Sequence, residues 1–112
     1  MTFSNVLEKD METIVNINVS TNSGDSPEGA YVLFTNKSGP DAGLQYSLSI
    51  NESGTDIINP FRKGIYDIVV QLSGFATIRL NDVLIEAENN FTWQLEELLA
   101  APSNLNVTPI GM

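Results

Sequence analysis

The sequence predicts an all-β fold, a sandwich or barrel of seven or so short strands. Three observations carry this. Apolar and polar residues alternate with a period of two in run after run. Clusters of Gly, Asn, Asp, Ser and Pro separate the runs every 8 to 12 residues. The one helix-like stretch, 96–101, is too short to stand alone in water.

The elements follow in chain order. Over 13–20, Val15, Ile17 and Val19 alternate with Ile14, Asn16, Asn18 and Ser20, which places an apolar row on one strand face. Residues 21–29 have loop chemistry. In the run 30–35, Ala30, Val32 and Phe34 share one face, and Tyr31, Leu33 and Thr35 the other. A turn-rich loop over 36–43 leads to the cleanest half-buried strand, where Leu44, Tyr46, Leu48 and Ile50 alternate with Gln45, Ser47 and Ser49. Asn51-Glu52-Ser53-Gly54 reads as a tight hairpin connection. A short strand, 55–58, should end at Asn59-Pro60, because proline cannot donate to a ladder. The run 65–72 is the most apolar and reads as a central strand, with Tyr66, Ile68, Val70 and Leu72 on one face. Segments 76–80 and 83–86 are shorter strands, separated or bulged at Asn81-Asp82. In the last strand Phe91, Trp93 and Leu95 share a face, which favours a core role for Trp93.

Composition narrows the function classes. The 112 residues suit one domain with one core. Without His or Cys, imidazole and thiol catalysis, His or Cys metal sites and disulfides are excluded. Fourteen acids against five bases, a net charge of −9, argue against binding a phosphate backbone. No apolar run is long enough to span a membrane, and the first residues lack the basic and apolar regions of a signal peptide. The chain is then either cytoplasmic or a piece of a longer exported protein. Five Asn-x-Ser/Thr triplets begin at Asn18, Asn36, Asn51, Asn90 and Asn106, as chance allows in a chain this rich in Asn, Ser and Thr.

The segment Gly64-Ile65-Tyr66-Asp67-Ile68-Val69-Val70-Gln71-Leu72-Ser73-Gly74-Phe75 has the form G-x-Y-x-(V/I)-x-V-x-x-x-G-(F/Y). It resembles the carboxypeptidase regulatory-like and collagen-adhesin B-type modules of bacterial surface proteins. Gly29-Ala30-Tyr31-Val32-Leu33-Phe34 is similar to their second strand. The resemblance spans 13–97 and implies a seven-stranded Greek-key β-sandwich, transthyretin-like (prealbumin-like) and Ig-like in class. It marks Gly29, Gly64, Tyr66, Gly74 and Phe75 as structural positions. Physically, Gly64 permits a tight corner, and the Tyr66 hydroxyl can bond back to a loop. Gly74 permits a reversal that Phe75 closes. The tail Ala101, Pro102, Leu105 and Val107 is similar to the opening strand of a fibronectin type III domain. The expected organisation is therefore a leader over 1–12, a sandwich domain over 13–97, and a linker over 98–112 that begins a following domain.

Several constellations bear on chemistry. Ureide-hydrolysing enzymes of the transthyretin-like class depend on histidine, which is absent here. No base accompanies a serine nucleophile. The carboxylate pairs Glu86/Glu88 and Glu96/Glu97 read as solvated charges. Asp25, Glu28 and Asp41 could meet in space, but no calcium-loop motif occurs. Some adhesin modules carry a Lys–Asn isopeptide bond from the first strand, and here that strand holds no Lys. Contact with a ligand falls to Tyr31, which lies opposite the apolar row, and to the basic pair Arg62 and Lys63.

The expected function is a non-catalytic module of an extracellular or cell-surface bacterial protein, acting as spacer or adhesion unit. The alternative is a carbohydrate- or peptide-binding accessory module of a secreted hydrolase. No catalytic residue, metal or cofactor is implied. Partners would be neighbouring domains of the same polypeptide, or a glycan or protein at a host or cell surface. Nucleic acid binding and membrane insertion by this segment are not expected.

Overall fold

The computed structural model describes residues 11–98. Strands run β1 (Glu12–Thr21), β2 (Tyr31–Asn36), β3 (Gln45–Ser49), β4 (Thr55–Arg62), β5 (Gly64–Gln71), β6 (Ile78–Ile85) and β7 (Asn89–Leu95). They form two sheets, one ordered β4-β1-β7 and one ordered β3-β2-β5-β6. The chain passes between the sheets on leaving β1, β3, β4 and β6, so the architecture is a Greek-key sandwich, as the resemblance implies. Phe75 adds an isolated antiparallel bridge to Glu97. Counted with that bridge segment, the extended segments number eight, one more than expected.

The inward rows are those that the alternation marked. Val15, Ile17 and Val19 from β1 are buried against Ala30, Val32 and Phe34 on the β2 side and Tyr66, Ile68 and Val70 from β5. Trp93 and Leu95 close the core from β7. β5 lies between β2 and β6 and is central, as its apolar run implied. β3 is an edge strand, so Tyr46 and Leu48 are half-buried and Leu44 is exposed. Tyr46 is therefore a rim residue rather than a fully buried one.

Three expectations change. First, β4 does not stop at Pro60 but continues to Arg62. Thr13 pairs with Phe61 and Val15 with Ile58, so Asn59 and Pro60 together face Ile14 across a bulge. A bulge on an edge strand leaves residues unpaired, and the missing proline N–H removes no ladder bond there. Second, residues 51–54 do not join a hairpin, because β3 and β4 belong to different sheets. That turn carries the chain across the sandwich. Third, residues 89 and 90, expected in a turn, already belong to β7. The ambiguity at Asn81-Asp82 resolves as a bulge: β6 is one strand, and its register shifts opposite Asp67. There Asp82 adopts φ 58° and Lys37 Nζ bridges Asp82 at 2.8 Å and Asp67 at 3.4 Å.

β1 and β7 pair in parallel, from Val15–Asn89 to Thr21–Leu95. The leader before residue 11, most of the linker and the helix-like stretch beyond Leu98 lie outside the described residues. Glu96, Glu97 and Leu98 form no helix.

Candidate functional site

The predicted Gly-x-Tyr corner is a closed structural unit. Phe61 precedes the corner and is fully buried, with its ring stacked on Tyr46 at 4.4 Å. Two tyrosines grip the backbone of Arg62: the Tyr46 hydroxyl accepts from Arg62 N at 2.9 Å, and the Tyr66 hydroxyl donates to Arg62 O at 2.8 Å. The Arg62 guanidinium donates through Nε to Asp41 at 3.1 Å. This pairing ties β4 to the loop after β2.

Asn36, at the end of β2, completes the corner. Sequence reading put it in a loop, but it is 2% exposed. Its Oδ1 accepts from Ser38 N at 2.7 Å, while Ser38 Oγ accepts from Ile65 N at 3.0 Å. A Cβ at Gly64 would stand 2.6 Å from Asn36 Nδ2 and 3.0 Å from Ser38 Oγ, so the close approach requires glycine. The buried Asn36 amide nitrogen finds no partner of ordinary hydrogen-bond geometry among the described residues. Burial here closes the Asn-x-Ser triplet that begins at Asn36.

Burial pushes the Tyr66 phenol up to about 12, and the nearby Asn36 amide works in the opposite direction. An unfolded tyrosine loses its proton near 10.0, so the folded chain holds a proton that the unfolded chain releases. The resulting stability is fully present below pH 10 and is lost as pH rises toward 12. The Lys37 ammonium, raised chiefly by its hydrogen bond to Asp82, contributes in the same direction. Tyr66→Phe should cost about 1 kcal/mol at neutral pH and should flatten part of the alkaline decline. Urea midpoints of both chains across that range check this; parallel curves would refute the assignment to Tyr66.

The predicted contact residues do not converge. Tyr31 begins β2 beside Ser49 and Gln71, whereas Arg62 and Lys63 lie beyond the far end of that strand. Five residues of strand, roughly 17 Å, separate Tyr31 from the Asn36 corner. Tyr31 is 40% exposed, Arg62 is engaged as described, and Lys63 N bonds to Met11 O at 2.8 Å. Gly29 sits in the turn before β2, Gly74 in the turn after β5, and half-buried Phe75 beside it. The acids expected to meet also lie apart. Asp25 and Glu28 sit in the loop after β1, while Asp41 sits at the opposite end of β2. Among the described residues, no group of three acids is placed to hold a metal ion. Trp93 is buried, as its register predicts.

A different surface has the shape of a site. A shallow groove of about 300 Å³ crosses the outer face of the β4-β1-β7 sheet. Register arranges its side chains in two rows, Ile57–Asn16–Asn90 and Thr55–Asn18–Thr92. Rows stand about 6.7 Å apart along the strands, and neighbours about 4.8 Å apart across them. Asn16 Nδ2 donates to Asn90 Oδ1 at 2.7 Å and to Glu88 Oε2 at 2.9 Å, which fixes the amide. Sequence reading missed this face because it treated Asn16 and Asn18 as the solvent side of a strand. The available signal was the pair of outward amides on β1, Asn16 and Asn18, whereas Asn90 reads as part of a turn.

No known family model matches the chain, and no characterised protein sequence matches it. Solved structures do. A chain of the type II Cohesin-X-Dockerin complex from Acetivibrio cellulolyticus is similar at 14% identity and TM-score 0.54, over 76% of this chain and 58% of that one. A candidate carbohydrate binding protein from Bacteroides uniformis is similar at 14% identity and TM-score 0.54, over 74% and 40%. Catechol 1,2 dioxygenase from Acinetobacter radioresistens is similar at 12% identity and TM-score 0.62, over 92% and 59%. The shared feature is the sandwich fold. This chain spans three fifths or less of each of these structures, and such identities speak for fold alone.

Proposed function

We propose that this chain is a non-catalytic β-sandwich module, an in-line spacer or adhesion unit of an extracellular bacterial multidomain protein. In this reading it is of the carboxypeptidase regulatory-like and collagen-adhesin B-type kind, with 13–97 as the folded unit. Its partners are the neighbouring domains of the same polypeptide. The carrying observation is the parallel pairing of β1 with β7. The described chain enters at one end of the three-stranded sheet and leaves at the other, which suits a link in a string of domains. The strand from Met11 to the level of Thr21 spans roughly 33 Å. The acidic surface fits an exposed, soluble module.

The geometry has a mechanical consequence. Tension applied ahead of β1 and behind β7 pulls parallel neighbours in opposite directions, so their shared hydrogen bonds are loaded together. Tension applied at Glu12 and Asn89 would open the same pair from one end. Single-molecule pulling should give a clearly higher rupture force in the first geometry. Equal forces would remove the support that the topology lends to a tension-bearing spacer. The reading frame around these residues tests the setting: an export signal with flanking domains is expected, and a frame encoding these residues alone without export would overturn it.

A further inference from the structure

We infer that the groove on the β4-β1-β7 face binds a neutral oligosaccharide. This goes beyond the spacer reading by giving the module a ligand and a surface. The face offers neutral hydrogen-bonding groups in a chain of net charge −9. Asn16, Asn18 and Asn90 supply amides, Thr55 and Thr92 supply hydroxyls, and no basic side chain lines the groove. Paired amide donors and acceptors match the hydroxyl groups of a sugar, each of which both donates and accepts. Ile57, 61% exposed at the head of one row, offers an apolar surface to the C–H face of a ring.

Much of this bonding capacity is open. Among the described residues, the side chains of Asn18 and Thr92 make no hydrogen bond to protein, and Asn90 uses its carbonyl oxygen, which leaves its Nδ2 available. Asn16 is held in place by Glu88 and Asn90, so one member of the grid is preorganised.

The same features disfavour other occupants. A β-strand peptide needs free backbone N–H and C=O groups. The groove is centred on β1, whose backbone is paired to β4 on one side and β7 on the other. An anion would meet Glu88 beside Asn16, and no basic side chain lines the groove to pair with it. A nucleic acid meets the same objection.

The test is a proton–nitrogen NMR titration of the full chain with neutral glucose, xylose, mannose and galactose oligosaccharides. At least one should shift amide signals of residues 16–18, 55–57 and 90–92, with signals near Arg62 and Tyr31 unmoved. Asn18→Ala and Asn90→Ala should each weaken that binding about tenfold. Tyr31→Ala should leave it unchanged. Both amide positions are exposed, so a melting temperature equal to that of the natural chain separates lost binding from lost folding. No shift with any of the sugars, shifts that map elsewhere, or unchanged affinity in both amide variants would overturn the site. A polar peptide that displaced the sugar pattern from the same residues would overturn the ligand class. None of these results depends on whether the module is a spacer.

Discussion

Phe34→Ala should remove about 3–5 kcal/mol of stability, the largest loss expected from a single truncation in this chain. The ring is fully buried and joins the two sheets. It meets Phe61 edge-on at 5.1 Å and 73°, and Tyr66 edge-on at 6.3 Å, while Phe91 and Trp93 lie within 6.5 Å on the β7 side. Removal forfeits the transfer free energy of a large ring and leaves a cavity whose walls come from three different strands. Those walls are held by their own ladders and cannot collapse freely. Edge-to-face contacts add about 0.5–1.5 kcal/mol per pair. A domain of this size has on the order of 5–10 kcal/mol in total, so the variant should sit near the edge of folding. Phe34→Leu keeps most of the volume and should cost about 1–2 kcal/mol. Urea unfolding followed by Trp93 fluorescence measures both. A loss under about 1 kcal/mol for the alanine variant would mean that the ring is not the keystone described here.

Gly54→Ala should cost about 3 kcal/mol, well beyond what its backbone angle alone demands. Gly54 has φ +82°, and a non-glycine residue in that region pays about 1–2 kcal/mol. Gly24, at φ +86°, shares that penalty but has nothing within 4 Å of an added Cβ. At Gly54 the added carbon would stand 2.5 Å from Val19 O, a backbone atom of β1, the middle strand of its sheet, and 3.3 Å from Pro27 Cγ. Its carbonyl also accepts from Val19 N at 2.7 Å, so the turn cannot retreat without breaking a buried bond. Gly24→Ala should cost about 1 kcal/mol, because the stiffer unfolded chain offsets part of the strain. Equal losses in the two variants, measured by thermal unfolding, would show that the contact with Val19 is not the deciding term.

These positions also show what could be read in advance. The alternation in 13–20, 30–35, 65–72 and 91–95 identified the inward residues of four strands, because side-chain direction in a strand is set by parity along the chain. The Tyr66 hydroxyl was expected to bond back to a loop, and its partner is Arg62 O, four residues upstream at the end of β4. Pro60 misled because a proline rule holds for paired backbone, and whether position 60 is paired depends on β1, more than 40 residues away. Gly54 carried a turn signal without saying what the turn connects. Asn36 looked like loop chemistry, yet Gly64 and Ser38 close over it. The groove was hidden most thoroughly. Asn16, Asn90 and Ile57 are ordinary outward residues on three separate strands, and only register sets them in one row.

By itself the sequence determined the class, all-β with a sandwich or barrel architecture, together with the inward rows of its main strands and a chain without histidine or cysteine. Those properties follow from local parity and composition. Tertiary structure decided which strands are neighbours, that β1 and β7 run parallel with the described ends at opposite poles, and that the amides share one face. Strand partners are chosen by long-range burial and loop closure, which no short window of residues encodes.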